Sequence, residues 1–127
     1  MKDSATWERD PPRFSIVMPV HDPTLVDLER AVASVREQTW TSVSLCVVDD
    51  ASRNPDARDF LDRLGKESGV QLVRHSEPKG IAGATNAALA LATGDFVLFL
   101  DHDDELTPDA LSRIAEVLRA EPDTDFV

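Results

Sequence analysis

Short continuous apolar runs alternate with helix-periodic segments along this chain, and that alternation restricts the fold more than any other feature. Phe14 to Val20 is interrupted only by Ser15 and Pro19, the pattern of a strand buried on both faces. Pro19 has no N–H for a central ladder, so the strand is expected to end there. Thr24 and Asp27 then suit a capping box for a helix to about Gln38, with Leu25, Leu28, Val32 and Val35 along one face. The scheme repeats. Val43 to Val48 reads as a buried strand ending in Asp49-Asp50, and Asn54-Pro55 opens a helix with Pro in its first turn. Ala57, Phe60, Leu61 and Leu64 mark that helix's buried face, and Gly65 or Gly69 closes it. Val70 to Arg74 is a third strand, followed by a helix of small residues from near Gly80 to about Thr93. Asp95 to Leu100 is the most apolar strand. After it, Thr107-Pro108 starts a helix with Leu111, Ile114, Ala115 and Leu118 on one face.

Strands alternating with helices predict an α/β fold, a Rossmann-like three-layer α/β/α arrangement with a mainly parallel sheet and right-handed crossovers. In open sheets of this kind ligands bind beyond the carboxyl ends of the strands, where the strand order switches direction. The polar groups at the strand ends are Pro19-Val20-His21-Asp22, Asp49-Asp50 and Asp101-His102-Asp103-Asp104, so all three are expected at one edge of the sheet. Residues 1–13 are polar, contain Pro11-Pro12, and are expected to form a flexible leader. Residues 14–127 read as one domain. Phe126-Val127 looks like the start of a fifth strand, so the domain is expected to be truncated here and to continue past the chain end.

Charge narrows the partners. Thirteen Lys and Arg against twenty-four Asp and Glu give a formal charge of -11, which repels nucleic acid and anionic lipid surfaces. A bound divalent cation would still admit one anionic ligand by inverting the local charge. No apolar stretch approaches the length of a membrane span. The single cysteine, Cys46, lies inside an apolar run, where buried packing is expected, and it fits a reducing compartment.

The acidic cluster at 101 to 104 is the first candidate for chemistry. In an extended segment Asp101 and Asp103 share a face. Two close carboxylates repel unless a cation joins them, and Mg²⁺ or Mn²⁺ prefers such oxygens while keeping room for substrate phosphates. The competing reading is a solvated turn in which Asp104 and Glu105 cap a helix. Asp49-Asp50 can accept hydrogen bonds from a base or a ribose, or can make an Asx turn into Ala51-Ser52-Arg53. Glu77 to Gly83 is a Gly-rich helix start whose N–H groups suit an anion, with Lys79 as a candidate phosphate partner or a plain surface cation. It lacks the Lys-Ser/Thr ending of a P-loop. His21 and His102 could each be a metal ligand or a proton carrier, against the favoured reading of a hydrogen-bonded neighbour of a carboxylate. Trp40 is expected to pack on the sheet or cover a loop.

Four segments in order, Ser15-Ile16-Val17-Met18-Pro19-Val20-His21, Val47-Val48-Asp49-Asp50-Ala51-Ser52, Lys79-Gly80-Ile81-Ala82-Gly83-Ala84-Thr85-Asn86 and Leu98-Phe99-Leu100-Asp101-His102-Asp103-Asp104, resemble the motifs of family 2 glycosyltransferases with the GT-A fold. The resemblance runs from about Phe14 to Val127. It implies that Pro19 and Val20 line a nucleotide base pocket, that Asp50 hydrogen-bonds the base (commonly uracil or thymine), and that Asp101 approaches the ribose. It implies that Asp103, with Asp101, ligates Mn²⁺ or Mg²⁺ across the diphosphate of a UDP- or dTDP-linked sugar. The implied reaction is inverting transfer to a hydroxyl of a saccharide or lipid-linked acceptor, in cell-envelope polysaccharide synthesis. The implied setting is the cytoplasm, at or near the inner face of the membrane. Thr85 departs from the pattern, standing where many relatives carry Arg. The general base is expected beyond Val127, so no catalytic residue is assigned within the chain and poor transfer is expected from it alone.

Three other readings compete. Leu98 to Asp103 also resembles the strand-DxD motif of haloacid-dehalogenase-like phosphotransferases, in which Asp101 would be the nucleophile, although that motif normally opens its domain. A non-catalytic nucleotide-binding module on the same scaffold is the second. A nucleotidyltransferase is the third, but its Gly- and Arg-rich first loop is absent.

Overall fold

The computed structural model describes residues 11–120. Most of the expected leader and the expected fifth strand at Phe126-Val127 lie outside the described residues. The elements are β1 (Phe14–Val20), α1 (Leu25–Arg36), β2 (Val43–Asp50), α2 (Pro55–Leu64), β3 (Val70–His75), α3 (Gly80–Ala90), β4 (Phe96–Phe99) and α4 (Ala110–Ala120). The four strands form one parallel sheet in the order β3-β2-β1-β4. The chain thus builds outward from β1 to β3, then crosses back to place β4 on the other side of β1. The switch point falls between the carboxyl ends of β1 and β4.

The pleat sorts side chains into two cores. Phe14, Ile16, Met18 and Val20 of β1 and Leu45 and Val47 of β2 face one way and pack against α1, α2 and α4. Val17, Cys46 and Val48 face the other way and meet Ala84 and Ala88 of α3. The expected three layers are therefore present, with three helices on one face and α3 on the other. The small residues of α3 let it lie close over the middle of the sheet. Trp40 closes the first core at its base, edge-on to Phe14 with ring centroids 6.0 Å apart and its Nε1–H on the Pro12 carbonyl at 3.0 Å.

Local signals explain most boundaries. The Thr24 hydroxyl accepts from the Asp27 N–H, and the Asn54 side chain accepts from the Asp56 N–H with Pro55 in the first turn. One expectation fails: β1 runs through Pro19 to Val20. The reason lies in the ladder. Val17 accepts from Leu100 N–H on the β4 side, and Pro19, two residues on, turns its nitrogen the same way. Pairing with β4 stops at Val17↔Phe99, so no bond is required of Pro19, while pairing with β2 continues to Val20↔Asp49. β2 and β3 likewise run past their expected ends, to Asp50 and His75. Gly94 fixes the join of β1 and β4, because a Cβ there would lie 2.6 Å from Arg13 O and 2.7 Å from Ser15 Oγ.

Candidate functional site

Asp49 and Asp50 are adjacent, so the pleat sends them to opposite faces, and the structure gives them different work. Asp49 is fully buried on the α1–α2 face. Its Oδ1 accepts from Ser52 N–H at 3.0 Å and its Oδ2 from Arg74 Nε at 2.9 Å. Arg74 also donates to Asp62 at 2.7 Å. This is an internal brace of the β2–β3 edge.

Asp50 faces α3. Its Oδ1 accepts from Lys79 N–H at 2.9 Å and lies 2.8 Å from His75 Nδ1, and its Oδ2 accepts from Gly80 N–H at 3.0 Å. Lys79, the residue before α3, makes no side-chain cap, so Asp50 caps this helix from across the sheet. Gly80 has a φ of 78°, a left-handed value that lets both N–H groups converge on one carboxylate. Burial pushes the Asp50 carboxyl up, but the bonds from His75, Lys79 and Gly80 outweigh it and hold its pKa below the usual carboxylate value.

The loops after β1 and β2 are locked together. His21 Nδ1 donates to the Asp50 carbonyl at 2.6 Å, Asp22 N–H to Ser52 Oγ at 2.9 Å, and Arg53 N–H to Asp22 Oδ1 at 2.6 Å. The last bond is the main cause of a lowered Asp22 pKa. Both loops turn through non-glycine residues with positive φ, Asp22 at 42° and Ala51 at 58°. His21 thus hydrogen-bonds a backbone carbonyl and not a carboxylate as expected, with its Nε2 3.6 Å from Asp22 Oδ2.

A cleft of about 400 Å³ opens at the switch point. Pro19, Val20, Pro78, Ile81 and Ala84 give it apolar walls, and Ile81 is 74% exposed to it and to solvent. Asp50 enters it from the end of β2, and Asp101, His102 and Asp103 from the segment after β4, with β1 lying between those two strands. The structure therefore brings together Pro19, Val20, Asp50, Asp101 and Asp103. It does not bring the Lys79 side chain into the cleft lining. The Lys79 N–H is spent on Asp50, and its stem lies over Gly83, where an added Cβ would be 2.8 Å from Lys79 Cβ.

Asp101, Asp103 and Asp104 are exposed, and each can place one oxygen within 4.8 Å of the others. Asp104 joins the group because its N–H bonds to the Asp101 carbonyl, folding the segment into a turn. Among the described residues no Lys, Arg or His pairs with them. Three hard oxygen donors with open coordination space fit Mn²⁺ or Mg²⁺.

Sequence reasoning missed His75. The signal existed, since His75 follows Arg74 directly and strand ends were the places to search. Reading β3 as ending at Arg74 hid it. The register pairs Asp50 with His75, so once β3 is one residue longer the two fall side by side.

The sequence profile of glycosyl transferase family 2 matches residues 15–127. The chain is 37% identical over 113 residues to the O-antigen biosynthesis protein RfbC of Myxococcus xanthus, covering 88% of this chain and 9% of that protein. It is 32% identical over 117 residues to a chondroitin synthase of Escherichia coli, covering 92% of this chain and 17% of that protein. It is 31% identical over 107 residues to a GalNAc(5)-diNAcBac-PP-undecaprenol beta-1,3-glucosyltransferase of Campylobacter jejuni, covering 83% of this chain and 34% of that one. The chain thus spans well under half the length of these relatives. The structure of S. aureus TarS in complex with UDP superposes with a TM-score of 0.76 at 23% identity, covering 85% of this chain and 32% of that one. TarS in complex with UDP-GlcNAc matches equally, with a TM-score of 0.76. At that identity the match bears on the fold alone, and the fold is that of the GT-A glycosyltransferases.

Proposed function

The chain belongs to glycosyl transferase family 2, and from that premise we propose that its cleft binds a nucleoside diphosphate sugar, UDP- or dTDP-linked, for inverting transfer to a hydroxyl of a saccharide or lipid-linked acceptor. One observation supports this reading above the rest. A single cleft at the switch point is lined by an ionised, oriented acceptor from the end of β2, apolar residues from the end of β1 and the start of α3, and Asp101 and Asp103 from beyond β4, with Asp104 close to both. A nucleoside diphosphate has the same order: a flat base with a polar edge, a ribose, and two phosphates. Asp50 accepts a hydrogen bond from the base. Pro19, Val20, Pro78 and Ile81 cover its apolar faces. Asp101 lies nearest the ribose and shares with Asp103 and Asp104 the cation that the diphosphate requires. Mn²⁺ or Mg²⁺ bound there supplies Lewis-acid stabilisation of charge on the departing nucleoside diphosphate.

The residues of this chain bind, orient and desolvate the donor. None of the cleft residues is assigned as the general base that takes the acceptor proton. Lys79 is assigned no direct phosphate contact, because it is not among the residues that line the cleft. A relative that acts on an undecaprenol-linked diphosphate, together with RfbC in O-antigen synthesis, supports cell-envelope polysaccharide as the product class. Among the described residues no helix is long and apolar enough to cross a membrane.

Calorimetric titration of UDP and dTDP, with and without Mn²⁺, tests the reading on the unsubstituted chain and on Asp103→Ala. Heat that needs the metal and falls at least about tenfold in affinity in the variant is expected. No heat for either nucleotide in the presence of Mn²⁺ would sink the proposal.

A further inference from the structure

The nucleotide reading leaves His75 without a role, although its side chain is buried against Asp50, which lines the cleft. Its side chain is 8% exposed, and that of Asp50 4%. β2 and β3 pair Asp50 with His75 in register, both pointing to the α3 face. The other edge of the ring helps to wall an adjoining depression lined by Arg53, Arg58 and Arg74.

A carboxylate offers about four acceptor positions, two on each oxygen. Three are occupied here. Oδ1 takes His75 Nδ1–H and Lys79 N–H, and Oδ2 takes Gly80 N–H. Oδ1 is full, and Oδ2 retains one position. Asp50 can then receive one donor from a ligand, and only one. Base edges differ in this respect. Uracil and thymine present a single N–H between two carbonyl groups. Guanine presents an N–H beside an amino group, a parallel pair that needs both oxygens of a carboxylate. Cytosine and adenine present an amino N–H beside an unprotonated ring nitrogen, and the carboxylate repels that nitrogen's lone pair.

Resting on the nucleotide reading above, we infer that His75 is a positioning residue that saturates Oδ1 of Asp50 and so selects a base edge bearing a single N–H. Without His75 the carboxylate is held by two backbone N–H groups alone. The carboxylate's orientation loosens, Oδ1 regains an acceptor position, and discrimination against a paired donor weakens. A filler of the core would act differently, lowering affinity for every nucleotide alike.

The test titrates UDP, GDP and CDP, each with Mn²⁺, into the unsubstituted chain, His75→Ala, His75→Asn and Asp50→Ala. The unsubstituted chain should prefer UDP. His75→Ala should lose about tenfold in UDP affinity and shrink the UDP-to-GDP ratio by a similar factor, the worth of one bond to a charged group. His75→Asn, whose amide N–H can reach the position of Nδ1, should restore most of both. An unchanged ratio in His75→Ala, or an Asn variant no better than Ala, overturns the inference. If Asp50→Ala loses UDP while His75→Ala does not, His75 alone is misassigned. If Asp50→Ala binds UDP like the unsubstituted chain, the base contact itself is wrong. Should His75→Ala fail to fold, the imidazole ¹⁵N spectrum of the unsubstituted chain decides. A protonated Nδ1 is required, and an Nδ1 without a proton overturns the assignment.

Discussion

Asp50 and Asp103 line the same cleft at the carboxyl edge of the same sheet, yet their surroundings are opposite. Asp50 is 3% exposed, with protein donors on three of its acceptor positions. Asp103 is exposed beside two other carboxylates, and among the described residues no cation pairs with it. The β1–β2–β3 end of the sheet is a closed network in which Asp49, Asp50 and Asp22 each meet N–H groups of the chain. The β4 end is an open cluster of like charge. A carboxylate already satisfied by protein donors is fixed in charge and direction before any ligand arrives, which suits recognition. Carboxylates left to repel one another gain most when a cation enters, which suits binding that depends on the metal.

The comparison breaks most visibly under substitution. Asp49→Ala leaves the Arg74 guanidinium half-buried and short of one partner. It should cost about 3 kcal/mol in urea unfolding, at the lower end for a broken buried pair because Asp62 remains. A loss under about 0.5 kcal/mol would show that the closed network is not a brace.

Asp50→Asn should cost less, about 2 kcal/mol, because the amide oxygen still accepts while its NH₂ faces a donor. It also tests the sign of a pH effect. The folded pKa of Asp50 is held below the unfolded value of about 3.9. Its contribution is therefore present above about pH 4 and is lost as pH falls through the lower folded pKa. Asp22 adds to the same acid limb with the same sign. In Asp50→Asn the fall in stability on acidification should be shallower, measured as urea midpoints between about pH 2 and 6. A steeper acid limb would contradict the network.

Asp103→Asn should have the smallest effect on stability and the opposite sign. Without divalent cation it relieves repulsion, so the chain should be unchanged or gain about 0.3 kcal/mol. The stabilisation that added Mn²⁺ gives the unsubstituted chain should be lost in the variant, seen as a melting temperature that no longer rises with metal. Destabilisation of metal-free protein by Asp103→Asn would mean that the open cluster is structural after all.

How much of this was legible beforehand differs by region. Apolar runs and cap residues gave the four strands, the four helices and the layer order, because burial on both faces marks β1 and β2 along the chain and an apolar side toward the sheet marks the helices. The cleft residues Pro19, Val20, Asp50, Asp101 and Asp103 followed from a topological rule and a family resemblance. The differences were of another kind. Pro19 inside β1 could not be read, because it depends on where β4 stops. Lys79 was read as a phosphate partner or a surface cation, and the structure shows its N–H bonded to Asp50 and its side chain outside the cleft lining. His75 fell one residue outside an expected strand.

The sequence by itself determined the alternation of strand and helix, the excess of negative charge, and the gathering of carboxylates at the strand ends. Periodicity and composition are properties of neighbours along the chain, and they survive without knowing what lies across the sheet. Only the tertiary structure decided which carboxylate was spoken for. Asp49 and Asp50 are consecutive and chemically identical. The pleat turned one toward Arg74 and the other toward His75 and the start of α3, and residues 25 to 30 positions away supplied the hydrogen bonds that made them different.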